Sequence, residues 1–296
     1  MSIEFFLEKV KSSLLFIKLK VYLGLIMLSG ALILWAVLTV LSFIFVVYDL
    51  IKNTPEAGVM KIGWALVVFY TGPVGLFFYF MTCREPMPRT HEKFIDSLWK
   101  QATGSEVHCL AGDATGIIIM AIILSFYEIP RGVEIFLEYI AGFVSGLLIF
   151  QALFMKKMMG GTYVKALKTS FYPEWLSMNM IMAGMIPVMV IWGVHDPLAR
   201  NPGSLHFWGM MSLATIVGGV VAYPINRWLV AKGLKHGMMT VRKGEEMEKG
   251  HHDASDHSHM KHEKVIVTQS QIYKALIISL VGLAIGIIIA IVGAYL

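Results

Sequence analysis

Seven apolar blocks, each long enough to cross a lipid bilayer, constrain this chain more than any other feature of its sequence. They cover residues 21–48, 62–82, 108–128, 133–155, 175–194, 207–230 and 271–296. Crossing a hydrocarbon core of ~30 Å takes roughly 20 residues of helix, and a helix satisfies its own backbone hydrogen bonds in lipid. With 56% hydrophobic and 15% charged residues, the chain is also too apolar for an ordinary soluble domain. The sequence therefore predicts an all-α fold, a polytopic transmembrane helical bundle of seven spans.

The basic residues of the loops predict the orientation of this bundle. Lysine and arginine total twenty in one set of alternate loops and four in the other set. Because cytoplasmic loops carry the excess of basic residues, this distribution predicts a cytoplasmic N-terminus and an external C-terminus in the plasma membrane. The net charge of +5 lies in these short loops, so it indicates topology and gives no reason to expect a nucleic-acid partner.

The same pattern divides the chain into four segments. Residues 1–20 are predicted to form an amphipathic interfacial helix, 21–230 a six-helix membrane core, 231–270 a cytoplasmic His-rich loop, and 271–296 the seventh transmembrane helix. The last helix carries Gly282 and Gly286 at GxxxG spacing, which favours close contact with another helix. Such a helix fits a homo-oligomer or attachment to partners in a membrane complex.

A histidine-rich stretch, HHDASDHSHMKH, lies between the last two apolar blocks and is the first candidate metal site. Its imidazoles belong to His251, His252, His257, His259 and His262. Neutral imidazole binds zinc, copper, nickel and cobalt. A closed structural zinc site would need fixed spacing and more cysteine, so the stretch favours an exchangeable, metal-buffering loop. The alternative is a solvated loop whose histidines bind nothing specific.

The segment HCLAGDATG, which opens the third apolar block, combines imidazole, thiol and carboxylate in His108, Cys109 and Asp113. In a helix, Cys109 and Asp113 lie one turn apart on the same face. A carboxylate at membrane depth is costly and usually faces a partner or a wet cavity. Cys83 ends the second block on the same predicted side, so it is a candidate fourth ligand; the alternative is a passive interfacial cysteine. Asp113 has an alternative role as a helix cap or salt-bridge partner near the headgroups.

Three further features predict a pathway through the bundle. A methionine stripe in the fifth block has helical spacing; its members are Met178, Met182, Met185 and Met189. Thioethers bind Cu(I), although adaptable packing explains such a stripe as well. Glu138 follows Glu134 by one turn near the predicted outer end of the fourth block, and membrane carboxylates bind cations or relay protons. Asn226 follows Pro224 at the end of the sixth block.

HCLAGDATG together with HFWGMMSLATIVGGVVAYPINRWLVAKGLKHGM resembles a family of prokaryotic membrane proteins known only as a domain of unknown function. The likeness covers about residues 108–239. It depends on a His/Cys–Gly–Asp segment and on a Tyr-Pro-x-Asn-x-Trp-Leu segment, followed by Lys235. The resemblance implies a helical membrane bundle and no established activity, and the histidine-rich stretch lies outside it.

These observations favour a membrane protein that binds or transports a transition-metal ion, Cu(I) or Zn(II), with the lipid bilayer and the metal as its partners. His108, Cys109, Asp113 and Cys83 would form an inner metal site, and the histidine-rich loop would buffer the ion. A structural or assembly subunit of a larger membrane complex is the alternative. No phosphate loop, dinucleotide fingerprint, nucleophile elbow or haem site is indicated, so an enzyme is not favoured.

Overall fold

The computed structural model of the chain describes residues 3–87, 89–151, 162–238, 240 and 267–296. Within these ranges the backbone forms helices, turns and loops, with one isolated bridge between Glu56 and Thr240 and no strand. The predicted all-α polytopic bundle is confirmed.

Nine α-helices follow one another along the described chain. They are α1 (Ile3–Lys52), α2 (Gly58–Thr71), α3 (Pro73–Thr82), α4 (His91–Ile95), α5 (Leu98–Leu124), α6 (Arg131–Ser145), α7 (Tyr163–His195), α8 (Leu205–Ala231) and α9 (Gln269–Tyr295). A π-helical turn, Gly146–Gln151, continues α6. Six of these helices, α1 and α5 to α9, are long and apolar enough to cross a membrane.

The six long helices differ in how far they are enclosed by the others. In its most apolar window, 72% of α5 is buried, against 17% for α1 and 22% for α9. α5 is therefore the central helix, and its polar residues lie away from lipid. α9 packs against α7, where Gly286 faces the backbone of Ala183 and Gly282 faces Met180. The GxxxG glycines thus contact a helix of the same chain.

The second predicted span, residues 62–82, is a helical hairpin and not a single crossing helix. The chain breaks at Gly72, whose φ of +56° lies in a region that favours glycine. A Cβ atom at this position would also collide with Thr39 of α1. α3 then returns along α2, so that the rings of Trp64 and Tyr79 lie 5.5 Å apart. The Tyr79 hydroxyl lies 2.6 Å from Thr54, in the loop that precedes α2.

The hairpin changes which loops share an end of the bundle. Arg84, after α3, pairs with Asp49 near the end of α1 at 3.0 Å, whereas Ser29 of α1 lies 3.5 Å from His206 at the start of α8. Loops 53–57 and 83–97 therefore lie together with segment 232–240, at what we call the basic end. The predicted placement of the N-terminus beside the 83–107 loop is wrong, because the spanning part of α1 begins at the opposite end.

Two other boundaries differ from the sequence prediction. Residues 3–20, predicted to be a separate interfacial helix, continue into α1 without a break. α7 begins at Tyr163, twelve residues before the predicted start of the fifth span at 175. This earlier start carries Glu174 into the interior of the bundle.

Candidate functional site

Seven polar side chains meet inside the bundle, at the level where α5, α7 and α8 approach one another. We call them the core cluster: Glu106, Cys109, Asp113, Glu174, Ser177, Asn226 and Lys235. Each of them is at most 5% exposed. Groups of this polarity are rare among membrane helices, because burying them without partners is costly.

Helical spacing aligns the cluster residues of α5 and α7. Glu106, Cys109 and Asp113 follow one another by three and four residues, so they share one face of α5. Glu174 and Ser177 are three residues apart on α7. Cys109 and Asp113 do share a face, since the Cys109 thiol lies 3.5 Å from Glu174 Oε2 and Asp113 Oδ1 lies beside Glu174 Oε1 at Gly146.

Lys235 reaches the cluster from a short segment that folds back after α8. The chain turns at Gly233, whose φ is +65°, and residues 235, 237 and 238 are buried. Gln101 of α5 anchors this segment by donating its side-chain amide to the Met238 carbonyl at 3.3 Å. The segment therefore covers the start of α5 and directs the Lys235 ammonium inward.

Lys235 and Asn226 connect the cluster through hydrogen bonds. The Lys235 ammonium donates to Cys109 Sγ at 2.8 Å, to Glu174 Oε2 at 2.9 Å and to Asn226 Oδ1 at 3.1 Å. Asn226 Nδ2 in turn donates to Glu106 Oε2 at 2.6 Å and to Ser177 Oγ at 2.8 Å. Every polar atom of the Asn226 amide group is thus occupied.

The charge on Lys235 depends on its neighbours. Burial alone would lower the pKa of Lys235, but Cys109 and Glu174 outweigh burial and raise that pKa above its ordinary value. Lys235 therefore carries a positive charge inside the bundle, where Glu174 is its ion-pair partner.

Asp113 and Glu174 form a carboxyl pair beside this lysine. Asp113 Oδ1 and Glu174 Oε1 lie next to each other beside Gly146. Among the described residues, no protein group donates to either oxygen of Asp113, to Glu174 Oε1 or to Glu106 Oε1. Three carboxyl groups thus surround one ammonium. Such an arrangement requires protons or a further cation to balance its charge, because like charges at this distance cannot all ionise.

The carboxyl pair packs closely against Gly146. This glycine begins the π-helical turn after α6, and π-helical turns occur frequently at functional sites. A Cβ atom here would collide with Asp113 Oδ1 and lie 2.6 Å from Glu174 Oε1. The absence of a side chain at position 146 therefore lets the two carboxyl groups pack directly against the backbone of the π-helical turn.

Two residues of the predicted inner metal site are placed elsewhere. His108 is buried in α5, but in the described chain it forms no three-ligand grouping with Cys109 and Asp113. Cys83 lies at the basic end with Glu56 and His91, because α3 returns there and does not cross the bundle. The structure therefore brings Cys109 and Asp113 together, while Cys83 belongs to a different group.

The methionine stripe of α7 faces the protein interior. Met178, Met182, Met185 and Met189 are all fully buried. Met178 lies against Gly142 of α6, and Met185 lies against Gly218 of α8. These contacts match the packing interpretation, and the stripe begins one turn from Glu174.

Glu138 lines a cavity at the end of the bundle opposite the basic end. The cavity has a volume of about 290 Å³ and also contacts Glu134, Arg131 and Arg200. Both arginines bind the Glu134 carboxylate at 2.8 Å. Glu138 is 2% exposed, and its Oε2 atom has no hydrogen-bond donor among the described residues. Of the two carboxylates predicted here, Glu138 is therefore the one that is not neutralised by an ion pair.

The histidine-rich stretch lies outside the described residues. This applies to His251, His252, His257, His259 and His262, which fall within the range 241–266. Their predicted metal binding depends on sequence alone.

Sequence reasoning missed Glu106, Glu174 and Ser177 as site residues and treated Lys235 as a loop charge. Glu174 lies just before the predicted fifth span, residues 175–194, whereas α7 begins at Tyr163 and continues through Pro173. The available signal was the position of Glu106 and Glu174 about two and three turns inside helices that are otherwise apolar. Asn226 was predicted and lies at the centre of the network.

Fold and site together define an all-α polytopic membrane protein with a buried, charged cluster at its centre. Residues 98–235 match the family model described as a domain of unknown function (DUF4396). All seven core-cluster residues fall within this match, which ends at Lys235. The match confirms the resemblance to a family of unknown function. Its range, 98–235, is close to the range of about 108–239 that the sequence motifs indicated. No curated protein and no solved structure matches the chain.

Proposed function

We propose that this is a plasma-membrane protein that binds and transports a cation, with the Asp113–Glu174 pair as its binding site. The observation that supports the proposal is the excess of buried carboxyl groups over the single ammonium of Lys235. Carboxylate oxygens without protein donors are suited to exchange protons for a metal ion. Their convergence within the matched region 98–235 makes them the best candidates for the function of that domain.

A transition-metal ion, Zn(II) or Cu(I), is the cargo class that the surrounding donors favour. The Cys109 thiol lies 3.5 Å from Glu174, and the thioether of Met178 packs nearby. Sulfur ligands select Cu(I) and Zn(II) over magnesium or calcium. In this proposal the Lys235 ammonium occupies the place of the cation until an ion arrives, and it withdraws with segment 232–238.

In the same proposal, the ion reaches and leaves the core cluster by a route on each side of it. The buried methionines of α7 extend from the cluster toward the cavity that Glu138 lines. On the other side, segment 232–238 leads along the chain toward the histidine-rich stretch, the proposed cytoplasmic metal buffer. We expect prokaryotic homologues to share the inner cluster without that stretch, because it lies outside the matched region.

The test is ion flux into proteoliposomes that contain the purified chain, measured separately for Zn(II), Cu(I) and protons. We expect Asp113→Asn to reduce metal flux at least tenfold, because it removes a charged ligand. Gly146→Ala should have a similar effect, because its Cβ atom would collide with both carboxyl groups and displace them. Gly132→Ala is the matched control, since a Cβ atom at Gly132 meets nothing within 4 Å.

The outcomes separate transport from the alternative of an assembly subunit. Flux in the wild type and in Gly132→Ala, with loss in the other two variants, supports the proposal. Flux no greater than in empty liposomes for all three ions would overturn it. A stoichiometric membrane partner that copurifies with such an inactive chain would then favour the assembly subunit. Normal flux in Asp113→Asn would remove the core cluster from the pathway.

A further inference from the structure

Glu56, Cys83 and His91 form a second polar group, at the basic end of the bundle. Their ligand atoms all lie within 4.8 Å of one another. Glu56 is 3% exposed, and Cys83 and His91 are fully buried. The three residues come from the loop before α2, the end of α3 and the start of α4, so the fold and not local sequence brings them together.

We propose that Glu56, Cys83 and His91 bind one zinc-type divalent metal ion. Carboxylate, thiolate and imidazole are the donors found in zinc sites, which have ligand distances of about 2.0–2.3 Å. Tetrahedral bonds of that length place the ligand atoms roughly 3.3–3.6 Å apart. His91 Nε2 and Glu56 Oε1 are separated by 3.8 Å, too far for a hydrogen bond and close to this spacing.

The orientation of His91 supports the assignment. Its Nδ1 atom lies 2.7 Å from the Thr240 hydroxyl, and its backbone N–H donates to Glu85 Oε2 at 3.0 Å. When Nδ1 donates its proton to Thr240, the Nε2 lone pair points toward Glu56 and Cys83. Metal-binding histidines are commonly held by such a hydrogen bond on the other ring nitrogen.

The metal would join separate parts of the basic end. Thr240 contacts His91 through its side chain and pairs with Glu56 through its backbone. Thr240 also follows the segment that carries Lys235. The ion would therefore fix the hairpin loops against that segment. This inference does not depend on the proposed transport function, since its three ligands lie outside both the core cluster and the match at 98–235.

Cobalt(II) is a suitable probe, because thiolate bound to cobalt gives a near-ultraviolet charge-transfer band. The chain has two cysteines, so the source of any such band can be identified. We would titrate Co(II) into the full-length, detergent-purified protein in which His251, His252, His257, His259 and His262 are alanine and Asp113 is asparagine, so that neither the histidine-rich stretch nor the core cluster competes for the ion. We expect one equivalent with a thiolate band, which Zn(II) then displaces.

Matched variants decide between the two cysteines. Cys83→Ser should lose the band and Cys109→Ser should retain it, whereas the opposite result, or no band at all, would overturn the proposal. Glu56→Gln keeps both thiols and should weaken cobalt binding at least tenfold. If Cys83→Ser fails to fold, unchanged affinity in Glu56→Gln would overturn the site. If the Glu56–Cys83–His91 site binds no metal, the expected metal flux through Asp113 is unchanged. Each of the two proposals can therefore be disproved without the other.

Discussion

Lys235 is the residue on which the charge balance of the core cluster depends. Its ammonium contacts Cys109, Glu174 and Asn226 within 3.1 Å. A buried ion pair adds little stability over an apolar pair, because desolvation offsets attraction. Removing only one partner of the pair is strongly destabilising, because the other charge then remains buried without a counter-charge. An ionised Glu174 in the interior of the bundle therefore depends on the positive charge of Lys235.

We expect Lys235→Met to lower the free energy of unfolding by about 3–5 kcal/mol, because Glu174 then remains buried without its counter-charge. Denaturation by titration with sodium dodecyl sulfate, followed by circular dichroism, measures this change. Lys232→Met is the control, since Lys232 is partly exposed and makes no ion pair in the described chain. The double variant Lys235→Met/Glu174→Gln should recover part of the loss. Equal stability of both single lysine variants would contradict the prediction.

At the residue scale, sequence reasoning succeeds where the spacing is local. Cys109 and Asp113 lie four residues apart, so their shared face follows from the helical repeat. The meeting of Glu174, Asn226 and Lys235 depends instead on contacts between residues up to 126 apart in the chain. Helix packing sets those contacts, and no periodicity within a single helix encodes them.

At the element scale, the α2–α3 hairpin is the main difference between prediction and structure. Residues 62–82 are apolar enough for one span, and Gly72-Pro73 indicated only a kink. The chain reverses its direction between α2 and α3 because Gly72 adopts a positive φ. Gly72 also packs against Thr39, which lies thirty-three residues earlier in the sequence. Apolar residues are favoured both in lipid and in a protein interior. A hydropathy profile therefore cannot distinguish a helix that crosses the membrane from a hairpin that is buried in the bundle.

We expect Gly72→Val to destabilise the protein, because valine is strained at positive φ and its side chain would collide with Thr39. Backbone strain of this kind costs about 1–3 kcal/mol, and the steric conflict adds to it. Gly58→Val, at the start of α2, is the control, since a Cβ atom there meets nothing within 4 Å. Thermal unfolding of the two purified variants gives the comparison. A Gly72→Val protein with the melting temperature of Gly58→Val would show that the hairpin turn is not constrained.

At the scale of the whole molecule, six helices long enough to cross a membrane and one hairpin place the described ends of the chain, Ile3 and Leu296, opposite the basic end. α1 runs from beside His206 to beside Arg84, and α9 begins near Tyr172, whose hydroxyl donates to Ile272. With the hairpin taken into account, the loops that the sequence assigns to the side of the basic end contain eighteen basic residues and those assigned to the other side contain six, with Lys274 counted as part of α9. The positive-inside rule therefore still predicts a cytoplasmic basic end, now with both termini outside.

Cysteine labelling in intact cells with a membrane-impermeant thiol reagent tests this topology. The native Cys83 and Cys109 are buried, so the wild type should provide an unlabelled background. Ser2→Cys and Tyr295→Cys should both react from outside, whereas Lys93→Cys, exposed at the basic end, should react only after the membrane is permeabilised.

Glu128→Cys, in the exposed loop between α5 and α6, is the control for an external position. The decisive comparison is between positions 2 and 93, because a bundle of seven crossings would place them on the same side. If Ser2→Cys and Lys93→Cys share one labelling pattern, the residue 58–82 segment crosses the membrane. If they differ, it enters and leaves at the basic end, and Glu56, Cys83 and His91 lie together on the cytoplasmic side, where exchangeable metal would reach them.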